Sequence, residues 1–277
     1  MGTCRYCRKP AGLLRDYHGE CQKAYDAGKK RICFFVREAM TGASTNEIIE
    51  DEVSRFANQW NLDMPDMRPI LVEGWNRALD AALEDGVITQ DEEKALVHLQ
   101  EFFDLQQDDL NASGAYTKLV KSCVLREVMH GNIPTAFQPQ GRIPFNIQKG
   151  EKIVWGFQPV EYWEMRDRTT YVGGYAGASV RVAKGLYLRT GGFRGVPQVT
   201  THTLPVDSGI LLVTDKHIYF TGHAKSFRIP YKKIVSFQPF SDGVGLCRDA
   251  ASAKPQLFKT GDGWFTYNLL TNLAQTE

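Results

Sequence analysis

Two apolar runs in the C-terminal part of the chain do most to limit the fold. They are Gly209-Ile-Leu-Leu-Val-Thr-Asp-Lys-His-Ile-Tyr-Phe-Thr-Gly222 and Lys225-Ser-Phe-Arg-Ile-Pro-Tyr-Lys-Lys-Ile-Val-Ser-Phe237. Both are short, rich in β-branched and aromatic residues, and bounded by Gly, Asp or Pro, as sheet strands are. Thr214-Asp215-Lys216 splits the first run and predicts a tight turn, so 209–222 reads as a hairpin. Phe227 and Ile229 alternate with Ser226 and Arg228, as on a strand with one face buried.

Further strands are predicted at 152–157 and 160–165, with Pro159 between them, and as a pair about Lys184-Gly185. Short strands follow at 244–247 and 256–259. Asp262 is placed to N-cap a last helix whose inner face holds Phe265, Leu269 and Leu273. Antiparallel strands closed by one amphipathic helix, together with Gly209-x-Leu-Leu-Val-Thr-Asp-Lys-His-Ile-Tyr-Phe and Ile229-Pro-Tyr-x-x-Ile234, resemble the GRAM and bacterial pleckstrin-homology (PH)-like families. The resemblance implies a helix-capped antiparallel β-barrel over 145–277 that binds acidic lipid headgroups or partner peptides and has no catalytic role. It implies headgroup ligands at Arg166 and Arg168, and a second basic cluster of Lys225, Arg228, Lys232 and Lys233, since Arg and Lys both grip phosphate. The plainer reading leaves those cations on the solvent face. Residues 166–200 depart from the family pattern, being longer than the usual connection and rich in Gly.

The N-terminal 24 residues carry Cys4-Arg-Tyr-Cys7 and His18-Gly-Glu-Cys21, a Cys-x2-Cys-x10-His-x2-Cys pattern. Two close pairs of soft or borderline ligands suit tetrahedral zinc. The second pair precedes a predicted helix, whose N-terminal N–H groups and dipole stabilise thiolate charge. The pattern resembles a treble-clef zinc finger. Arg5, Arg8, Lys9 and Arg15, with Tyr6 and Tyr17, offer a basic aromatic surface for nucleic acid. The structural alternative is that so small a fold uses metal in place of a core.

Between them, 25–134 reads as helices. One stripe each is formed by Tyr25, Ile32, Phe35, Val36 and Ala39; by Ile49, Val53, Phe56, Ala57 and Trp60; by Leu71, Trp75, Ala78, Leu79 and Ala82; by Ala95, Leu96, Leu99, Phe102 and Phe103; and by Tyr116, Leu119, Val120, Cys123, Val124 and Val128. Ser44 to Glu47 and Thr89 to Glu92 are predicted capping boxes. Asp85-Gly86-x-Ile88-Thr89, Glu92-Glu93 and the turn from Leu105 to Leu110 resemble the TerB-like helical domain of tellurite-resistance proteins. That resemblance implies a cation site at Asp85, Asp91 and Glu92 and a setting in bacterial stress or phage-defence signalling. Capping alone also accounts for Thr89, Asp91 and Glu92.

Charge is segregated. Residues 1–40 hold 9 Lys/Arg and 4 Asp/Glu, residues 41–112 hold 4 and 17, and residues 113–277 hold 20 and 11. Blocks of this kind suggest modules. No apolar stretch reaches the roughly 18 residues that span a bilayer, and no signal-peptide core is visible. A cytoplasmic protein is expected, touching membranes peripherally if at all, its six cysteines ligating metal or staying reduced. No phosphate loop or nucleophile elbow occurs. His202, His217 and His223 lie near Asp207 and Asp215 without a nucleophile signature, and Cys33 and Cys123 lie on apolar stripes as core thiols.

The expectation is therefore an α+β protein: zinc finger 1–24, acidic TerB-like helical domain 25–134 and PH/GRAM-like β domain 145–277. Its function is that of a non-enzymatic adaptor or sensor recognising a protein partner or an acidic lipid surface. Alternatives are a nucleic-acid-binding regulator and a hydrolase whose site the sequence hides.

Overall fold

A computed structural model describes residues 2–12, 15–42, 44–84, 86–134, 143–183, 186–249 and 254–276, with the backbone alone between 166 and 202. The chain forms two compact units, Met1–His130 and Gly131–Glu277.

The first unit begins with a two-stranded hairpin, β1 (Gly2–Thr3) and β2 (Pro10–Gly12), followed by α1 (Gly19–Glu38), α2 (Asn46–Trp60), α3 (Met64–Ala82), α4 (Gln90–Phe102), α5 (Gln107–Asn111) and α6 (Ala115–Met129). The predicted stripes become one core around fully buried Trp75, Leu71, Leu79, Ile49 and Leu96. Trp75 lies inside because its indole Nε1–H donates to the Leu96 carbonyl at 2.9 Å, which removes the cost of burying that donor. Gly74 lets α3 approach α1 closely, since a Cβ there would sit 3.2 Å from Val36 Cβ. Thr89 and Glu92 form the expected capping box on α4. The other predicted box differs: α2 is capped at Thr45, one residue later than Ser44, without a side-chain cap bond. Ser44 is buried there.

The second unit is a seven-stranded antiparallel sheet with α7 (Gly263–Thr276) packed on it. Its strands are β3 (Ile153–Ala183), β4 (Leu186–Thr214), β5 (His217–Gly222), β6 (Ser226–Pro230), β7 (Ile234–Phe240), β8 (Gly243–Arg248) and β9 (Gln256–Lys259). The spatial order is β6-β5-β4-β3-β9-β8-β7. The predicted barrel is thus corrected: β6 and β7 are edges, and the backbone ladder does not close between them. The two strands expected either side of Pro159 are one, β3, whose register shifts between Phe157 and Val160, the place where Pro lacks a ladder donor. Four rings, Tyr162, Phe220, Phe227 and Phe258, pack with centroids 5.1–6.3 Å apart on one face. Phe265 of α7 meets Trp155 edge-on at 5.1 Å. Asp262 caps α7 as expected, accepting from the Phe265 N–H at 3.1 Å.

Pro139, Gly141, Pro144 and Gly150 predict a linker over 135–149. Of that stretch, 135–142 lie outside the described residues, and the rest is tied to the sheet. Phe145 stands edge-on to Tyr219 at 6.0 Å. Just beyond, the Glu151 side chain is fully buried. Its carboxylate accepts from Thr214 Oγ1 at 3.0 Å and from the Tyr219 hydroxyl at 3.0 Å. His217 Nδ1 lies 2.8 Å from Oε1, at ion-pair distance but off the hydrogen-bond direction. Burial, reinforced by Glu151, pushes the Tyr219 hydroxyl above its ordinary pKa. Removing one member of a buried charged network leaves the others unpaired, at about 3–5 kcal/mol. Glu151→Ala is therefore expected to lower the stability of this unit by about 3 kcal/mol, read as a shift in the urea midpoint. A loss under about 0.5 kcal/mol, the scale of ordinary surface changes, would show that the carboxylate anchors nothing.

Candidate metal centre

Cys4 and Cys7 lie on the turn between β1 and β2. The Cys4 N–H donates to the Lys9 carbonyl and the Arg8 N–H to the Cys4 carbonyl, each at 2.8 Å. Arg8 takes the left-handed conformation, φ +59°, that reverses the chain. His18 is the N-cap of α1 and Cys21 falls in its first turn. The hairpin and the helix start thus bring both pairs together, and the four ligand atoms all lie within 4.8 Å of one another. His18 Nδ1 is 3.3 Å from Cys7 Sγ and 3.7 Å from Cys21 Sγ. Tetrahedral zinc with bonds of about 2.0–2.3 Å separates neighbouring ligands by about 3.3–3.8 Å, so the donor set fits such an ion.

The tautomer follows from the surroundings. His18 Nε2 lies 3.0 Å from the Pro10 carbonyl, to which it donates. The proton is thereby assigned to Nε2, and the Nδ1 lone pair points at the thiols, as metal-bound imidazoles commonly do. Electrostatics also favour a cation. Burial pushes the Cys4 thiol up, but backbone N–H groups of Cys7, His18 and Tyr6 outweigh it and bring it down to about 6. Cys21 is pushed up to about 11 by burial and by Cys7 and Cys4. Hydrogen bonding to Cys7 and to the Pro10 carbonyl raises His18. Three thiols this close cannot all ionise alone, and a divalent cation removes that conflict.

The centre is continuous with the core beneath it. Tyr6, between the first two cysteines, packs at a tilt against Tyr25 of α1 at 4.8 Å and meets Trp60 of α2 edge-on at 5.8 Å. The Arg5 guanidinium lies over both Tyr6 and Tyr17, at 5.0 and 5.3 Å. These contacts engage Arg5, Tyr6 and Tyr17 within the fold. The sequence offered no sign of Pro10 as the imidazole's partner, because a backbone carbonyl leaves no mark on residue type.

The other predicted site residues are dispersed. Lys225, Arg228, Lys232 and Lys233 lie on β6 and its flanks, all four exposed. The Lys225 N–H is spent on Asp207, whose carboxylate gathers four backbone donors, from Ser208, His223, Ala224 and Lys225, at 2.7–3.2 Å. With its amide oxygen toward Arg228, Gln148 accepts from both guanidinium NH groups at 3.1 Å and donates to Glu151 at 3.2 Å. The Arg166 and Arg168 side chains lie outside the described residues. So does Asp85. Of its two implied partners, Glu92 is occupied in the α4 cap, and Asp91 lies 3.3 Å from Lys94. Cys33 donates to the Ile70 carbonyl at 3.8 Å, and burial pushes Cys123 up to about 12, so both are protonated thiols inside the helical unit. No helix among the described residues is long and apolar enough to cross a membrane.

No protein-family model matches this chain, and no curated protein does.

The geometry predicts about one zinc per chain by metal analysis and its loss in Cys7→Ala. A control variant at a cysteine outside the tetrad, Cys33→Ala, is expected to keep full metal content. Protons compete with the ion for Sγ and Nδ1, so affinity falls with falling pH. Release is therefore expected to grow as the pH falls into the acid range, measured with a chromogenic chelator along an acid titration. Release that starts above neutral pH would contradict the tetrad.

Proposed function

We propose that this chain is a non-enzymatic, zinc-containing adaptor or sensor, with a TerB-like helical scaffold and a PH/GRAM-like recognition domain. The observation that carries the reading is the strand order of the second unit. A four-stranded meander, β3 to β6, is followed by a three-stranded one, β7 to β9, whose last strand returns to pair with the first. One helix then packs on the open assembly. This is the plan expected of a PH-like domain, in which binding residues hang on a fixed sheet. The knuckle supports a structural role for zinc. Its aromatic rings are built into the core of the helical unit, and the ion would fix the entry to α1.

The ligand class on this reading is an acidic surface, either a headgroup layer or an acidic protein segment. The support is the exposed cationic edge from Lys225 to Lys233. Its setting in bacterial stress or phage-defence signalling rests on the TerB-like and PH-like resemblances alone.

Sedimentation with phosphatidylserine vesicles at low and high salt tests the lipid form. Pelleting is expected at low salt, weakening as salt screens the charges. Lys225→Glu with Lys233→Glu is expected to reduce it severalfold, at about 1 kcal/mol for each lysine near an anionic surface. Absence of pelleting at low salt rules the lipid form out. Partner capture lost in the same double variant would then carry the protein form.

A further inference from the structure

The chain reversal between α2 and α3 borders an open cleft beside the metal knuckle. Asn61 ends α2 in the left-handed conformation, φ +50°, and the Leu62 N–H turns back to the Ala57 carbonyl at 2.9 Å. Asp63 then caps α3, its side chain accepting from the Asp66 N–H at 3.0 Å. Knuckle and turn together enclose a cleft of about 450 Å³, within the roughly 300–1,000 Å³ of small-ligand sites. A second hollow of about 390 Å³ adjoins it, and Arg8, Asn61, Leu62 and Asp66 line both.

The lining is divided by chemistry. Tyr6, Tyr25 and Trp60 make an aromatic wall, with ring centroids 4.8–5.8 Å apart. Trp60 is 9% exposed, and its indole Nε1–H has no acceptor among the described residues. Buried donors nearly always have one, as the indole of Trp75 does in the same unit. The rest of the lining carries charge of both signs. Arg5 is engaged over Tyr6 and Tyr17, and the Asp63 carboxylate in the α3 cap. Arg8 and Asp66 are left. Both are exposed, both line both hollows, and neither joins an ion pair among the described residues. Opposite charges that share a cleft without pairing complement a ligand that carries both signs. A phosphate would gain at Arg8 and lose against Asp66, and a simple cation would do the reverse.

We infer that this cleft binds a free amino acid with an apolar side chain. Its carboxylate is held by Arg8, its ammonium by Asp66, and its side chain by the wall of Tyr25 and Trp60. The site lies wholly within the first unit, so it can fail separately from the PH-like reading.

The test is isothermal titration calorimetry of the full chain, as purified, with L-phenylalanine and L-leucine. Three analogues of the first separate the contacts: phenethylamine lacks the carboxylate, phenylpropionate lacks the ammonium, and glycine lacks the ring. Each is expected to bind at least about tenfold more weakly, the scale of one charge-assisted hydrogen bond or one buried apolar side chain. Arg8→Asn suits the positive φ at that position. It is expected to weaken L-phenylalanine by at least about tenfold and to leave phenethylamine unchanged. Asp66→Asn is expected to weaken L-phenylalanine as much and to leave phenylpropionate unchanged. Both positions are exposed, so metal content and thermal midpoint are expected to stay at the parent values. The inference is overturned if neither amino acid binds at millimolar concentration, if glycine binds as tightly as L-phenylalanine, or if either variant binds like the parent chain. Binding of adenosine monophosphate in a chain that ignores both amino acids overturns it in favour of a nucleotide.

Discussion

The β unit depends on one non-local pairing. β9 hydrogen-bonds to β3 over Glu161↔Lys259 to Glu164↔Gln256, joining residues nearly a hundred positions apart. Without it, β3 to β6 and β7 to β9 would be two separate meanders, each with its apolar face open. With it, Tyr162, Phe220 and Phe258 share one buried layer, and α7 finds a surface against which to place Phe265, Leu269 and Leu273. The pairing also buries a polar contact, in which Gln256 Nε2 donates to the Tyr162 hydroxyl at 2.6 Å. That bond fixes which residue of β9 stands opposite β3, because a one-residue slip would turn Gln256 outward and Leu257 inward.

In the helical unit the corresponding constraint is α1. The same helix carries Cys21 in its first turn and Ile32, Cys33 and Val36 in its buried stretch. Metal geometry and core packing therefore fix one rigid object from both ends. Tyr25 connects them, touching Tyr6 of the knuckle on one side and Phe56 of α2 on the other. A zinc-dependent change in the knuckle would be felt in the aromatic cluster through this ring and not through a flexible linker.

Features written in local spacing could be read from the chain. The Cys and His pairs, the Thr89–Glu92 box, the hairpin about Asp215 and the Asp262 cap all follow from neighbours a few residues apart, where residue type and backbone geometry are tightly coupled. Ser44 to Glu47 has the letters of a box, yet the helix starts at Asn46 with Thr45 as its N-cap, and Ser44 is buried. Non-local chemistry left no such signal. Glu151, Thr214, His217 and Tyr219 meet through sheet registry across more than sixty residues, and the flanking stretch reads as a linker because Pro139, Gly141, Pro144 and Gly150 punctuate it. The open edge between β6 and β7 was equally hidden, since strand count and alternation are the same for a closed barrel and for a sheet that stops short.

That open edge has a consequence for behaviour at high concentration. Unpaired strands are templates for self-association, and natural sheets blunt them with proline and lysine. Here β6 ends in Pro230 and is followed by Lys232 and Lys233, while β7 carries Pro239 near its far end. Each proline withholds a donor that an incoming strand would need, and the paired lysines repel a like-charged copy at the gap. The unclosed sheet thus carries at both edges residue types that discourage the addition of a further strand.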